Sequence, residues 1–326
     1  MSVKTRMPRC FVHIGSEKTG TTSIQRYFGR NRDSLREQGF WYPRSCASPK
    51  ADVHRPLSDA ALGDELGPHG ELARAFETEF RQELQSGVHT AIFSSEFFHS
   101  RVRSTEPAER LKEFLSRYFD SIRIVFYARR QDHLAVSMHS TAVRSGKSAA
   151  TRAIEIYERK QHHYFDHLGV ANLWAGVFGD ANLVCRIYER PRLANGDVID
   201  DIAAIIGLPP DDNRRRVKAN ESLSYVCMNL LLRLKKSRHR DNDLLRRAIL
   251  QTDRDLELPR LPFMTKREAQ EFMARFAESN REFFATRVSP DLAKDFDDSF
   301  GKFPDDLLEP TAQEMLEFLF ALDQHR

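Results

Sequence analysis

The residues of this sequence whose types and spacing can do chemistry begin in Cys10–Tyr27, CFVHIGSEKTGTTSIQRY. Gly15 and Gly20 bracket a segment that carries Lys18, and Thr21, Thr22 and Ser23 follow at once. The apolar run Cys10–Ile14 ahead of the first glycine reads as a buried strand, and Ile24, Tyr27, Phe28 and Leu35 behind the second recur at helical spacing. Strand, glycine loop and helix turn backbone N–H groups and a helix N-terminus toward an anion, so the stretch is expected to cradle a phosphate or sulfate. The ordinary triphosphate loop has this glycine interval, with Lys and then Ser or Thr directly after the second glycine. Here Thr21 stands in that place, and the lysine has moved inside the loop to Lys18, where it can meet the bridging oxygen of a phosphoanhydride as a point charge.

A second group lies downstream. Arg129 closes the apolar run Ile122–Tyr127, and Ser137 stands eight residues on, in a segment of helical pattern. An arginine so placed can grip a phosphate with forked, charge-assisted hydrogen bonds, while the serine adds a neutral donor. Arg130 offers an alternative register, and a plain surface basic pair is the bland reading. Glu96 follows the apolar run Thr90–Phe93; it is either a proton acceptor or the partner of a local arginine.

HIG followed by KTGTTSIQ resembles the 5′-phosphosulfate loop of the sulfotransferases that use 3′-phosphoadenosine-5′-phosphosulfate (PAPS), above all the bacterial and carbohydrate-directed members. Many relatives have Pro before the lysine; Glu17 stands there in this chain, which implies a less rigid loop. The resemblance implies that Lys18, Thr19 and the backbone of Gly20, Thr21, Thr22 and Ser23 hold the 5′-phosphosulfate. The interval from Arg129 to Ser137 is similar to that of the family's 3′-phosphate site, which favours Arg129 over Arg130. SSEFF looks like a segment of bacterial relatives, and carbohydrate-directed members use a glutamate in this region; Glu96 would then be the general base, with His99 its rival and His54 or His139 behind it. Lys18 and the helix N-terminus would stabilise the leaving phosphate oxygen, a scheme that needs no metal. Magnesium-dependent phosphoryl transfer wants a carboxylate ligand and a Ser or Thr after the loop lysine. The implied function is transfer of a sulfuryl group from PAPS to a hydroxyl, with a P-loop small-molecule kinase and a non-catalytic nucleotide-binding scaffold as alternatives. The specific motifs cover Cys10 to Ser140; RIYERPRLANGDVIDDIAAIIGL, ANESLS and SNREFF extend the resemblance weakly to about Phe284.

The elements that must position these residues are legible as apolar runs at Cys10–Ile14, Thr90–Phe93, Ile122–Tyr127 and Leu183–Tyr188, with helical patterns between them and a short extended piece at Phe40–Tyr42. The runs predict an α/β three-layer sandwich around a central, mostly parallel sheet with a P-loop-like loop. The functional edge is expected at the carboxyl ends of the strands. Helical patterns dominate after Tyr188, so the chain reads as one domain, 1–326, with an α/β core at 1–190 and a mainly helical extension at 191–326. A stripe of Leu223, Val226, Leu230 and Leu234 is expected to face a core.

A formal net charge of +3 over 326 residues is too small to argue for nucleic acid. Cys10, Cys46, Cys185 and Cys227 are widely spaced with no CxxC pair and read as buried, reduced thiols. No apolar run follows Met1–Lys4 and none is long enough to span a bilayer, so the expectation is a cytoplasmic protein, with peripheral membrane contact still open. The partners expected are the nucleotide donor and a hydroxyl acceptor, a glycan or glycolipid; oligomeric state is left open. His162, His163 and His167 lack a complementary ligand set and read as exposed helix histidines, and His13 reads as a core residue. Arg214–Arg216 with Lys218, and Lys235–Arg240, are basic runs of the kind that usually cover solvated faces; by resemblance Arg216 and Lys218 are candidates for the 3′-phosphate.

Overall fold

Nearly unbroken apolar runs in four strands force a sheet buried on both faces. The computed structural model, which describes residues 7–49, 51–63, 65–147, 150–155, 162–210, 222–237, 242–256, 258–292 and 295–323, has that sheet. Its strands are β1 (Met7–Gly15), β2 (Phe40–Trp41), β3 (Thr90–Ser94), β4 (Phe119–Ala128) and β5 (Leu183–Ile187), in the order β2-β3-β1-β4-β5. Every pair is parallel, and β1 lies in the middle, with Val12 opposite Phe93 on one side and Ile124 on the other. The fold is therefore α/β, as expected from the strand runs. The piece at Phe40–Tyr42 supplies the fifth strand, an edge of two residues whose Trp41 stacks on Phe76 with ring centroids 5.4 Å apart.

The helices that follow the strands carry the chain back across the sheet. They begin with α1 (Thr21–Arg30), α2 (Arg32–Glu37), α3 (Arg55–Leu62), α4 (Glu71–Gln85), α5 (Phe97–Arg101), α6 (Thr105–Ser116) and α7 (Gln131–Arg144). Read by apolar spacing, the loop helix should run on to Gly39; instead it breaks at Asn31, whose side-chain amide donates to the Tyr27 carbonyl at 2.7 Å and ends α1. In α4 the buried residues are Ala73, Phe76 and Phe80.

The chain divides into two compact units that alternate along the sequence. The first comprises Met1–Arg129, Asp166–Ala219 and Ser279–Asp295; the second comprises Arg130–Phe165, Asn220–Glu278 and Phe296–Arg326. These limits do not fall at 190/191. The first unit holds the sheet and a core in which Ile24, Tyr27 and Phe28 of α1 pack with Ile92, Val125, Tyr127, Ile199 and Ile202. The second is helical where described. One of its cores gathers Leu134, Met138, Phe165, Phe272 and Phe276, and the other gathers Val226, Cys227, Leu231, Leu232, Phe318 and Leu322. In the helix Tyr225–Ser237 the inward face is therefore Val226, Cys227, Met228, Leu231 and Leu232; Leu230 and Leu234 are only partly buried. Among the described residues no helix is long and apolar enough to cross a membrane.

Candidate functional site

The loop after β1 is held by its own polar atoms. Ser16 donates to the Tyr127 carbonyl twice, from its backbone N–H and its Oγ, each at 3.0 Å, which ties the loop to β4. Thr19 Oγ1 donates to the Ser16 carbonyl at 2.6 Å and closes the loop on itself. Lys18 adopts a left-handed backbone, φ 65°, which for a residue with a Cβ costs on the order of 1–3 kcal/mol. Its carbonyl accepts from the Arg129 guanidinium at 2.6 Å, one of the contacts that offset the strain. Gly20 is left-handed as well, φ 75°, and a Cβ there would stand 2.8 Å from Val198 Cγ1, so a close approach requires glycine. The Gly20 carbonyl accepts from Ser23 N and Ile24 N and starts α1. The amides of Thr21 and Thr22 thus fall in the first turn, where a helix offers its N–H groups no intrahelical acceptor. Of the three hydroxyl residues, Thr22 is exposed while Thr21 and Ser23 are buried.

Glu96 touches this loop. It stands between β3 and α5, and a Cβ added to Gly15 would lie 3.2 Å from Glu96 Cα. Gln25, on α1 and 6% exposed, donates from Nε2 to Glu96 Oε2 at 2.6 Å. Among the described residues this amide, and no arginine, is what holds the carboxylate.

The rival histidines are placed differently. His99 is fully buried and stacks on Phe126 with centroids 5.9 Å apart. His54 is fully buried; its Nδ1 accepts from Ser94 N at 2.9 Å, its Nε2 donates to the Pro43 carbonyl at 2.8 Å, and burial pulls its pKa down to about 4. His139, in the second unit, is buried with Nε2 donating to the Ala150 carbonyl at 2.7 Å. None of the three is accessible to solvent.

Arg129 ends β4. Besides its bond to Lys18, its guanidinium lies 5.6 Å from the Tyr188 ring centroid, and its own carbonyl accepts from His167 Nε2 at 2.7 Å. Burial holds His167 neutral, with a pKa pulled down to about 4, so this histidine is a structural donor and not the exposed residue expected from its spacing. Arg130 is 1% exposed, pairs with the buried Asp132 at 2.9 Å, and donates to the Asp297 and Ser299 carbonyls. These partners all belong to the second unit. Ser137 is half-buried on α7 of the second unit, whereas Arg129 belongs to the first.

The first unit thus brings Lys18, Thr19, Gly20, Glu96 and Arg129 to one sheet edge. Sequence reasoning missed Gln25, Tyr188 and Ser16. Gln25 closes the KTGTTSIQ motif one helical turn beyond Thr21 and Thr22, and Tyr188 ends the last strand run; position alone could have flagged both. His13 is buried in β1, with Nδ1 2.8 Å from Ser94 Oγ and a pKa pulled down to about 3 by burial. All four cysteines are free and buried. Among the described residues no group of three or more His, Cys, Asp or Glu side chains has an arrangement that could hold a metal ion. Arg214–Arg216 and Lys218 lie outside the described residues; of the later basic run, Lys235 and Lys236 are exposed at a helix end, and Arg238, His239 and Arg240 lie outside.

No family model matches the chain. An uncharacterized protein of Archaeoglobus fulgidus is 30% identical over 173 residues, 51% of this chain and 46% of that protein, so the match spans less than half of the relative's length. Two solved structures overlap the fold. One is a sulfotransferase from Alicyclobacillus acidocaldarius (TM-score 0.40, 16% identity, 66% of this chain and 87% of the other). The other is the sulfotransferase domain of the Synechococcus PCC 7002 olefin synthase (TM-score 0.31, 14% identity, 85% and 97%). Overlaps this shallow leave the function to be argued from the chain's own residues.

Proposed function

We propose that this protein is a PAPS-dependent sulfotransferase that moves a sulfuryl group to the hydroxyl of an acceptor. One observation carries the reading: Arg129 donates to the carbonyl of Lys18 while Gly15 of the same loop abuts Glu96, so three chemistries meet at one strand edge. In the proposed reaction the acceptor oxygen attacks sulfur in line, the S–O bond to the 5′-phosphate breaks, and 3′,5′-adenosine bisphosphate leaves. Glu96 takes the acceptor proton. Lys18 and the first-turn amides of α1 meet the charge that develops on the departing phosphate oxygen. Thr19, Gly20, Thr21, Thr22 and Ser23 form the rest of the phosphosulfate cradle; Arg129 holds the 3′-phosphate, with Ser137 assigned as its companion by sequence resemblance alone.

The exposed Thr22, the half-buried Lys18 and the buried rivals of Glu96 support this division of labour. The acceptor proposed is a glycan or glycolipid. The test is a screen of hydroxyl acceptors with sulfate-labelled PAPS. We expect transfer by the wild type, a loss of about 10²–10³ in kcat for Lys18→Ala, and a loss of about 10²–10⁴ for Glu96→Gln. Transfer that survives both substitutions unchanged would overturn the assignment.

A further inference from the structure

Glu96 has its stem and its head fixed by different elements. The stem is backed by Gly15, where an added Cβ would sit 3.3 Å from Glu96 Cβ, and the head is reached from α1 by Gln25. Gln25 is a long polar side chain buried on a helix whose other buried residues include Ile24, Tyr27 and Phe28. Burying a side-chain amide costs free energy unless it is hydrogen-bonded, and its partner here is the Glu96 carboxylate. The bond is short, 2.6 Å between heavy atoms, as charge-assisted bonds are. It engages Oε2, and among the described residues no side chain donates to Oε1. The same helix starts at Gly20, so the element that frames the anion cradle also aims the carboxylate.

We infer that Gln25 is a positioning residue for the Glu96 base: it locks the carboxylate through Oε2 and leaves Oε1 to accept the acceptor's proton. This rests on the sulfotransferase reading only for the identity of the substrate. Gln25 carries no charge of its own, so it holds the Glu96 head by a hydrogen bond alone. The titratable group facing Glu96 from the β2 side is Tyr42, whose phenol is buried and pushed well above its ordinary value chiefly by that burial, with the Glu96 charge adding to the rise.

The experiment pairs Gln25→Met, which keeps length and removes the donor, with Gln25→Glu. The first readout is the Glu96 side-chain rotamer distribution in the free protein, from NMR scalar couplings, which needs no substrate. The second is the split between kcat and KM with PAPS. For Gln25→Met we expect the single Glu96 rotamer of the wild type to give way to averaged couplings. We also expect kcat to fall roughly 10- to 100-fold, with KM for PAPS unchanged. For Gln25→Glu, which sets a second carboxyl group against the first, we expect the same averaging and a fall in kcat at least as large. Melting curves and titration with 3′,5′-adenosine bisphosphate verify that each variant folds. A Glu96 rotamer distribution identical in wild type and Gln25→Met overturns the inference. A wild type that transfers no sulfuryl group overturns the proposed function instead, while the rotamer measurement still decides the role of Gln25.

Discussion

Arg129 and Arg130 are neighbours in sequence and opposites in structure. Arg129 is half-buried at the end of β4 in the first unit, and its guanidinium braces the Lys18 carbonyl. Arg130 opens the second unit, 1% exposed, with its guanidinium on Asp132, on two backbone carbonyls and 4.4 Å from the Phe300 ring centroid. Lys18, Thr19, Glu96 and Arg129 of the first unit stand at the carboxyl ends of its strands, whereas buried polar side chains of the second, such as Ser224 on Asp253, close packing joints. A residue type is thus not a role. What separates the two arginines is what each charged head meets: the Lys18 carbonyl of the loop for Arg129, the buried Asp132 for Arg130.

The first way to break this contrast is acid. His13, His54 and His167 all lie in the first unit and are held neutral by burial, with pKa values of about 3, 4 and 4. Their folded values lie below the unfolded value near 6.5, so unfolding takes up protons between those limits. Their contribution to stability is full above pH 6.5 and is lost as pH falls toward 4, by about 4 kcal/mol per pH unit if all three titrate together. Hydrogen exchange at pH 7 and pH 5 should show protection lost first in β1 and β3; equal loss in the helices Tyr225–Ser237 and Lys266–Ala274 would contradict the contrast.

Arg130→Ala should come next, costing about 3–5 kcal/mol because Asp132 is left buried without its partner. A denaturant midpoint close to that of the wild type would refute the structural role. Arg129→Ala should melt near the wild type yet bind 3′,5′-adenosine bisphosphate roughly 10- to 100-fold more weakly. Equal binding by calorimetry would return Arg129 to the status of a loop brace. The smallest effect expected is that of Gly20→Ala, about 1–2 kcal/mol of backbone strain at φ 75°, together with weaker nucleotide binding as Val198 is pushed away. A melt and an affinity both unchanged would show that the loop does not need its glycine there.

Much of this was legible in the residues themselves. Apolar runs between helical patterns gave a parallel sheet, and the displaced lysine, Glu96 and Arg129 each marked the end of a strand. By resemblance the eight-residue interval pointed to Arg129, and in the structure it is Arg130 that is buried on Asp132. Other features were not legible, for physical reasons. Asn31 ends α1 through a side-chain bond to Tyr27, which a stripe of apolar spacing does not register. In the helix Tyr225–Ser237 apolar residues lie on several faces, and packing against Phe318 and Leu322, far along the chain, chooses the inner one. Gln25 and Glu96 are 71 residues apart, and only the β1–β3 pairing brings them together.

In the proposed function the loop and Arg129 serve a nucleotide with phosphates at both its 5′ and 3′ positions. Calorimetric titration of the protein with 3′,5′-adenosine bisphosphate, and in parallel with ATP and magnesium, tests it most directly. The bisphosphate should bind more tightly, and Lys18→Ala and Arg129→Ala should each weaken its binding. A preference for ATP with magnesium would contradict it.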